Sequence, residues 1–123
     1  MHSFTITGNP IPKKTSNRVV RAGKRIRILP SERHEAWLKS ALWQLRAGWR
    51  SKSPLAGELW ACAVFYRADR RRVDLSNLIE SVGDVLERAG IIENDYNVTS
   101  WDGSRRLVDP SHPRVVITLR EAV

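Results

Sequence analysis

The chain has 123 residues and a mass of 14.0 kDa, enough for one domain over 1–123 and little more. Its 41% hydrophobic content excludes a disordered tail, and its single cysteine, Cys62, excludes a disulfide framework or a cysteine-rich zinc site. Twenty-one basic residues against 13 acidic ones give a net charge of +8, so the expected partner is a polyanion.

Met1 to Gly8 lacks the basic-then-apolar order of a signal peptide, and no apolar run approaches the ~18 residues of a membrane span. A cytoplasmic domain with no membrane partner is expected. Phe4 and Ile6 alternate with polar neighbours as a short strand that Gly8-Asn9-Pro10 ends. Pro10 to Asn17 reads as a loop, because Pro10 and Pro12 resist both helix and central strand. It carries Lys13 and Lys14. Arg18 to Arg21 and Arg25 to Leu29 suit a hairpin around Ala22-Gly23-Lys24, made basic by Arg18, Arg21, Arg25 and Arg27. Ser31 is a good N-cap with Glu32 in the first turn. Leu38, Ala41, Leu42 and Leu45 recur at helical spacing, so a helix is predicted over 32–47, stopped by Gly48. Trp43 falls off that apolar stripe and is the candidate for a subunit contact.

Leu59 to Tyr66 is apolar on both faces and predicts a central strand covered on both sides, with Cys62 a small buried apolar group. Asp74 suits an N-cap. Leu75, Leu78, Ile79, Val82 and Leu86 form one helical face, opposite Asn77, Glu80, Ser81, Asp84 and Glu87. This predicts a helix over 75–89 that Ala89-Gly90 ends. Tyr96 to Trp101 is expected to be a strand, Asp102-Gly103 a turn and Arg114 to Arg120 a final strand. The order predicts an α+β (mixed α/β) fold, with two main helices on a small mixed sheet.

The charge is divided along the chain. Residues 1–72 hold 16 basic and 4 acidic residues, whereas 73–109 hold 3 basic and 8 acidic. A protein that merely coats nucleic acid has no use for an acidic block, since carboxylates repel phosphates. A divalent cation between carboxylate and phosphate resolves the conflict and points to a metal-dependent phosphodiesterase. The plainer alternative is a solvated acidic helix on a basic domain.

The chemistry concentrates in Arg70-Arg71-Arg72-Val73-Asp74-Leu75-Ser76-Asn77-Leu78-Ile79-Glu80, then Asp84, then Gly90 to Asp95. A 15-residue helix is about 22 Å long, so the chain after Gly90 must run back along it if Asp95 is to approach Asp74. Residues 91–95 span at most ~17 Å. Such carboxylates suit Mg²⁺, which prefers oxygen ligands, and neighbouring arginines would grip phosphates. The alternative is that Asp74 only caps its helix and Asp95 only starts a turn. His2, His34 and His112 show no metal-ligand spacing.

The run from Arg70 to Leu78, followed by Asp84-x-Leu86, Ala89-Gly90, Asp95 and Val98, resembles the RusA family of Holliday junction resolvases. Thr5-Ile6-x-Gly8-x-Pro10-Ile11-Pro12-Lys13-Lys14 is similar to that family's first strand and loop, and Pro113 to Ile117 to its last strand. The resemblance implies a homodimeric, Mg²⁺-dependent endonuclease, with Mn²⁺ as a substitute, acting in recombination and repair. Such enzymes cut four-way DNA junctions by paired symmetric nicks. It also implies the cytoplasm of a bacterial or phage-infected cell. Asp74 and Asp95 match catalytic acids, Asp84 an acid within the helix, and Asn77 the motif asparagine, expected to be structural. Two positions depart: Ser76 stands where an aspartate is frequent, and Glu80 where a lysine is usual. Positions 76 and 80 lie one helical turn apart, so Glu80 is expected to supply the carboxylate missing at 76. The expected metal set is therefore Asp74, Glu80, Asp95 and Asp84. The expected phosphate contacts are Lys13, Lys14, Arg70, Arg71, Arg72 and the hairpin arginines. Two rivals are a non-catalytic basic module that binds branched DNA, and a protein–protein adaptor using the tryptophan-bearing helix.

Overall fold

A computed structural model describes residues 1–13, 18–23, 25–29, 32–50 and 52–122; for 18–22 and 25–29 it describes the backbone only. Lys14 and the proposed cap Ser31 lie outside the described residues, as do the side chains of Arg18, Arg21, Arg25 and Arg27. The main sheet contains β1 (His2–Thr7), β4 (Leu59–Arg67), β5 (Val98–Ser100), β6 (Arg105–Val108) and β7 (Arg114–Glu121). Its order is β1-β7-β4, with β5 and β6 both running parallel to β4 along its far edge. The β1–β7 and β7–β4 pairs are antiparallel, so the sheet is mixed. The expected basic hairpin forms as a separate pair, β2 (Arg18–Ala22) and β3 (Arg25–Leu29).

Two helices, α1 (Glu32–Trp49) and α2 (Leu75–Arg88), pack on each other; α1 lies against β1 and α2 against β4. Ile6, Phe65, Ile117, Leu119, Val82 and Leu86 are fully buried between the helices and the sheet. The unit β4-α2-β5 explains the placement of the site. Because α2 runs back along β4, its first residues lie at the C-terminal end of that strand, beside β6.

Several expectations need correction. β4 is not covered on both faces: Leu59, Ala61, Ala63 and Phe65 are buried, while Cys62, Val64 and Tyr66 are partly exposed and Trp60 is 40% exposed. The apolar character of the second face reflects arginine stacking instead. Arg120, opposite Trp60 on β7, stacks 4.7 Å from its ring, and Arg114, opposite Tyr66, stacks 3.8 Å from its ring. Cys62 is accordingly only half-buried.

Helix α1 does not stop at Gly48. It continues to buried Trp49, whose Nε1 donates to the Lys52 carbonyl at 3.0 Å and whose ring meets Phe4 and His2; Arg50 then turns left-handed at φ 48°. Burial of that ring outweighs the cost of a helical glycine. The predicted strand over 96–101 begins as a 3-10 turn, Asp95–Asn97, because the Asn94 side chain accepts the Tyr96 N–H at 2.9 Å; only Val98–Ser100 is strand. The strand β6 was absent from the predicted order. Its four residues are all exposed and do not alternate, so it carries no signature of period two.

Candidate active site

Asn77, Glu80, Ser81, Asp84 and Arg88 recur at spacings of three and four along α2 and so share one face. That face forms one wall of a cleft of about 300 Å³, which Lys13, His34 and Asp95 complete. The carboxylates are brought there by different parts of the chain. Glu80 and Asp84 project from the helix itself. Asp95 arrives because the chain after Gly90 does double back, as the length argument required. Gly90 turns left-handed at φ 77°, and the Ile91 N–H donates to the Leu86 carbonyl at 3.0 Å. The Asp95 N–H is then held by Glu87 Oε1 at 2.8 Å.

The return brings Asp95 level with Gly83: a Cβ placed on that glycine would stand 3.6 Å from the Asp95 Cβ. Gly83 is nine residues beyond Asp74, about 13 Å along the helix axis. Asp95 therefore shares the cleft with Glu80 and Asp84, while Asp74 is not among its lining residues. Asp74 continues the same helical stripe one turn towards its start. Its backbone occupies the N-cap position, but its carboxylate makes no capping hydrogen bond and is exposed. Ser76 is exposed and also lies outside the cleft.

Lys13 enters the cleft by way of His34. Pro10, Ile11 and Pro12 are buried, and His34, only 4% exposed on the first turn of α1, sets Nδ1 2.7 Å from the Ile11 carbonyl oxygen. With the proton on Nδ1, this is a donated hydrogen bond that fixes the proline loop against the helix and delivers the lysine. Arg88 is the second cation; its Nε lies 3.2 Å from Asp84 Oδ1, one turn back. His34 and Arg88 were not among the expected site residues. His34 gave no sequence signal, because its partner lies 23 residues away. Arg88 did have one, the i,i+4 pairing with Asp84.

The arginine run lies beyond the C-terminal end of β4, just before α2 begins. Asp69, Arg70, Arg71, Arg72, Arg106 and Val108 line a groove of about 340 Å³. Its backbone is pinned at three points: Asp69 Oδ1 accepts the Arg71 N–H at 2.9 Å, Arg67 Nη1 donates to the Arg71 carbonyl at 3.1 Å, and Arg106 Nη1 donates to the Val73 carbonyl. The last contact fixes the residue immediately before Asp74. Arg106 is a further residue that the sequence reading missed, although the dipeptide Arg105-Arg106 marked it as basic.

The cleft's acidic donors are all oxygens, as Mg²⁺ prefers. Among the described residues, no three acidic, histidine or cysteine side chains are gathered closely enough to ligate one ion directly. Mg²⁺ keeps several waters and takes only one or two carboxylates, so this donor set still fits it.

The sequence matches the family described as endodeoxyribonuclease RusA over residues 7–120. It is also 33% identical, over 86 residues, to the crossover junction endodeoxyribonuclease RusA of Aquifex aeolicus (strain VF5). That alignment covers 70% of this chain and 65% of the relative, so the matched region spans just under two-thirds of the relative's length.

Proposed function

Because the chain belongs to the RusA family of endodeoxyribonucleases, we propose that it is a single-domain, Mg²⁺-dependent endonuclease that cuts four-way or otherwise branched DNA. The observation that carries this reading is the convergence of Glu80, Asp84 and Asp95 on one cleft with Lys13, close to an arginine-lined groove. A bound Mg²⁺ or Mn²⁺ would supply an activated water and neutralise charge on the scissile phosphate. Asp95 and Glu80 would hold the ion, with Asp74 at the mouth of the cleft and Asp84 held by Arg88 beside it. Lys13 stands where a cation can meet the phosphate and so takes over from the lysine that Glu80 replaces. Arg70, Arg71 and Arg72 grip neighbouring phosphates, as do the hairpin arginines and Lys14. Asn77 lines the cleft wall between Asp74 and Glu80 as a structural residue. A homodimer would present two such clefts to the two equivalent strands of a junction. Among the described residues no helix is long and apolar enough to cross a membrane, and the proposed setting is the cytoplasm of a bacterial or phage-infected cell.

The deciding experiment is cleavage of a synthetic four-way junction beside matched linear duplex in Mg²⁺. Asp95→Asn and Asp74→Asn are expected to abolish cutting while junction binding survives or tightens. Glu80→Ala and Glu80→Lys are both expected to lose cutting; gain with lysine would show that Glu80 is a poor occupant of a cation position. If the wild type cuts no branched DNA in Mg²⁺ or Mn²⁺, the rival reading stands, a basic module that binds junctions without hydrolysing them.

A further inference from the structure

Arg67, at the end of β4, is a buried charge that the catalytic reading does not use. It is 6% exposed, yet among the described residues it forms no ion pair and its Nε has no hydrogen-bond partner. A buried guanidinium normally has a carboxylate beside it, because desolvating an uncompensated charge is costly. Here three arginines act on it against one carboxylate. Burial lowers the Arg67 pKa; Asp69 opposes that shift, and Arg106, Arg33 and Arg71 add to it. Asp69 is itself committed to Arg71, through the backbone N–H at 2.9 Å and the guanidinium Nε at 3.8 Å. No undescribed side chain can supply the missing anion: residues 14–31 contain no aspartate or glutamate, and Ser51 and Val123 have no acidic side chain.

The groove lined by Arg71, whose carbonyl Arg67 holds at 3.1 Å, repeats the imbalance. Four arginines and one engaged aspartate line it. Arg70, Arg106 and Val108 also line the adjoining groove with Tyr66, Leu107 and Asp109. Asp109 does not compensate them either, since its carboxylate is held by Arg114 at 2.9 Å and Ser111 at 2.8 Å. Arg106 stands where the two grooves meet, and one of its amino groups fixes the Val73 carbonyl beside Asp74.

We propose that Arg67 and Arg106 form a phosphate seat distinct from the carboxylate cleft, which takes a backbone phosphate of the DNA next to the strand being cut. The inference rests on the nucleic-acid reading above and adds two residues to it. Arg67 supplies charge from behind the wall, and Arg106 couples phosphate binding to the segment that carries Asp74. The free protein bears the cost of the uncompensated charge, and a bound phosphate would offset it.

The test needs no cleavage. Binding of a labelled four-way junction is measured in EDTA across a salt titration for wild type, Arg67→Met, Arg67→Lys and Arg106→Gln. Methionine preserves the buried stem and removes the charge. Each neutral variant is expected to reduce the slope of log affinity against log salt by about one and to weaken binding roughly five- to tenfold. Arg67→Lys is expected to keep the slope, and Arg67→Met to raise the melting temperature of the free protein. A folded Arg67→Met with wild-type slope and affinity overturns the proposal, as does a wild-type slope for Arg106→Gln, which decides the matter if Arg67→Met does not fold. A wild type that binds through these arginines but never cuts would retire the nuclease reading and keep the seat. Cutting by a wild type whose variants show unaltered slopes would do the reverse.

Discussion

At the scale of single residues, the same chemical group serves different ends according to what its neighbours leave it. Asp74 sits at a helix start but its side chain does not cap, so its carboxylate is left to solvent. Asp84 is paired with Arg88, and Asp109 is fully engaged. The Ser111 hydroxyl and then the Arg114 guanidinium hold the Asp109 carboxyl below its ordinary value near 3.8. The fold thus favours the charged form. The resulting stability is complete above the unfolded value and disappears as pH falls through the lowered native one. Asp109→Asn is expected to melt below the wild type at neutral pH, with the difference vanishing as acidification passes through the lowered native value. Melting curves across that range, with Arg114→Ala as a second probe, check it. Asp74 and Asp95 stand out in the sequence because they flank an amphipathic helix. His34 and Arg67 do not, because what makes them unusual is burial beside groups distant in the chain.

Helices and strands carry these residues to their places, and α2 does most of that work. Its apolar stripe was legible because burial on one side imposes a period of 3.6 residues. The polar side opposite it became the wall of the cleft. The return from Gly90 to Asp95 was legible only as a length limit; backbone bonds to Leu86 and the Glu87 carboxylate set where it ends. Glu87→Ala is expected to lower junction cleavage at saturating substrate by about ten- to a hundredfold, through misplacement of Asp95, with little change in binding. Glu87→Gln keeps the accepting oxygen and should retain most of the activity. Single-turnover rates compared with junction affinity separate the two effects. Strand β6 shows the opposite case. Exposed on every residue, it has no hydrophobic pattern, and only pairing with the second half of β4 makes it a strand.

For the whole molecule, topology sorts the charge. The parallel crossover β4-α2-β5 puts the arginine run at one end of α2 and the carboxylate cleft along its middle. Trp43, 74% exposed on α1, is a large apolar group that packing within one chain does not cover. If it lies at the proposed dimer interface, Trp43→Glu is expected to shift sedimentation from dimer to monomer and to convert paired nicks into single ones. The composition, the division of charge and the helical periodicities were determined by the sequence alone, because they depend on residue type and local spacing. They sufficed for an α+β domain with a basic part, an acidic helix and a family resemblance. Which acids share a cleft was decided by tertiary structure: a turn at Gly90 and a bond to Glu87 bring Asp95 to Glu80 and Asp84, and Asp74 is left out of the lining. The tertiary structure also buries Arg67 without an ion pair among the described residues and adds Arg106 and Arg33 to its surroundings, since burial and charge balance depend on neighbours that chain order does not reveal.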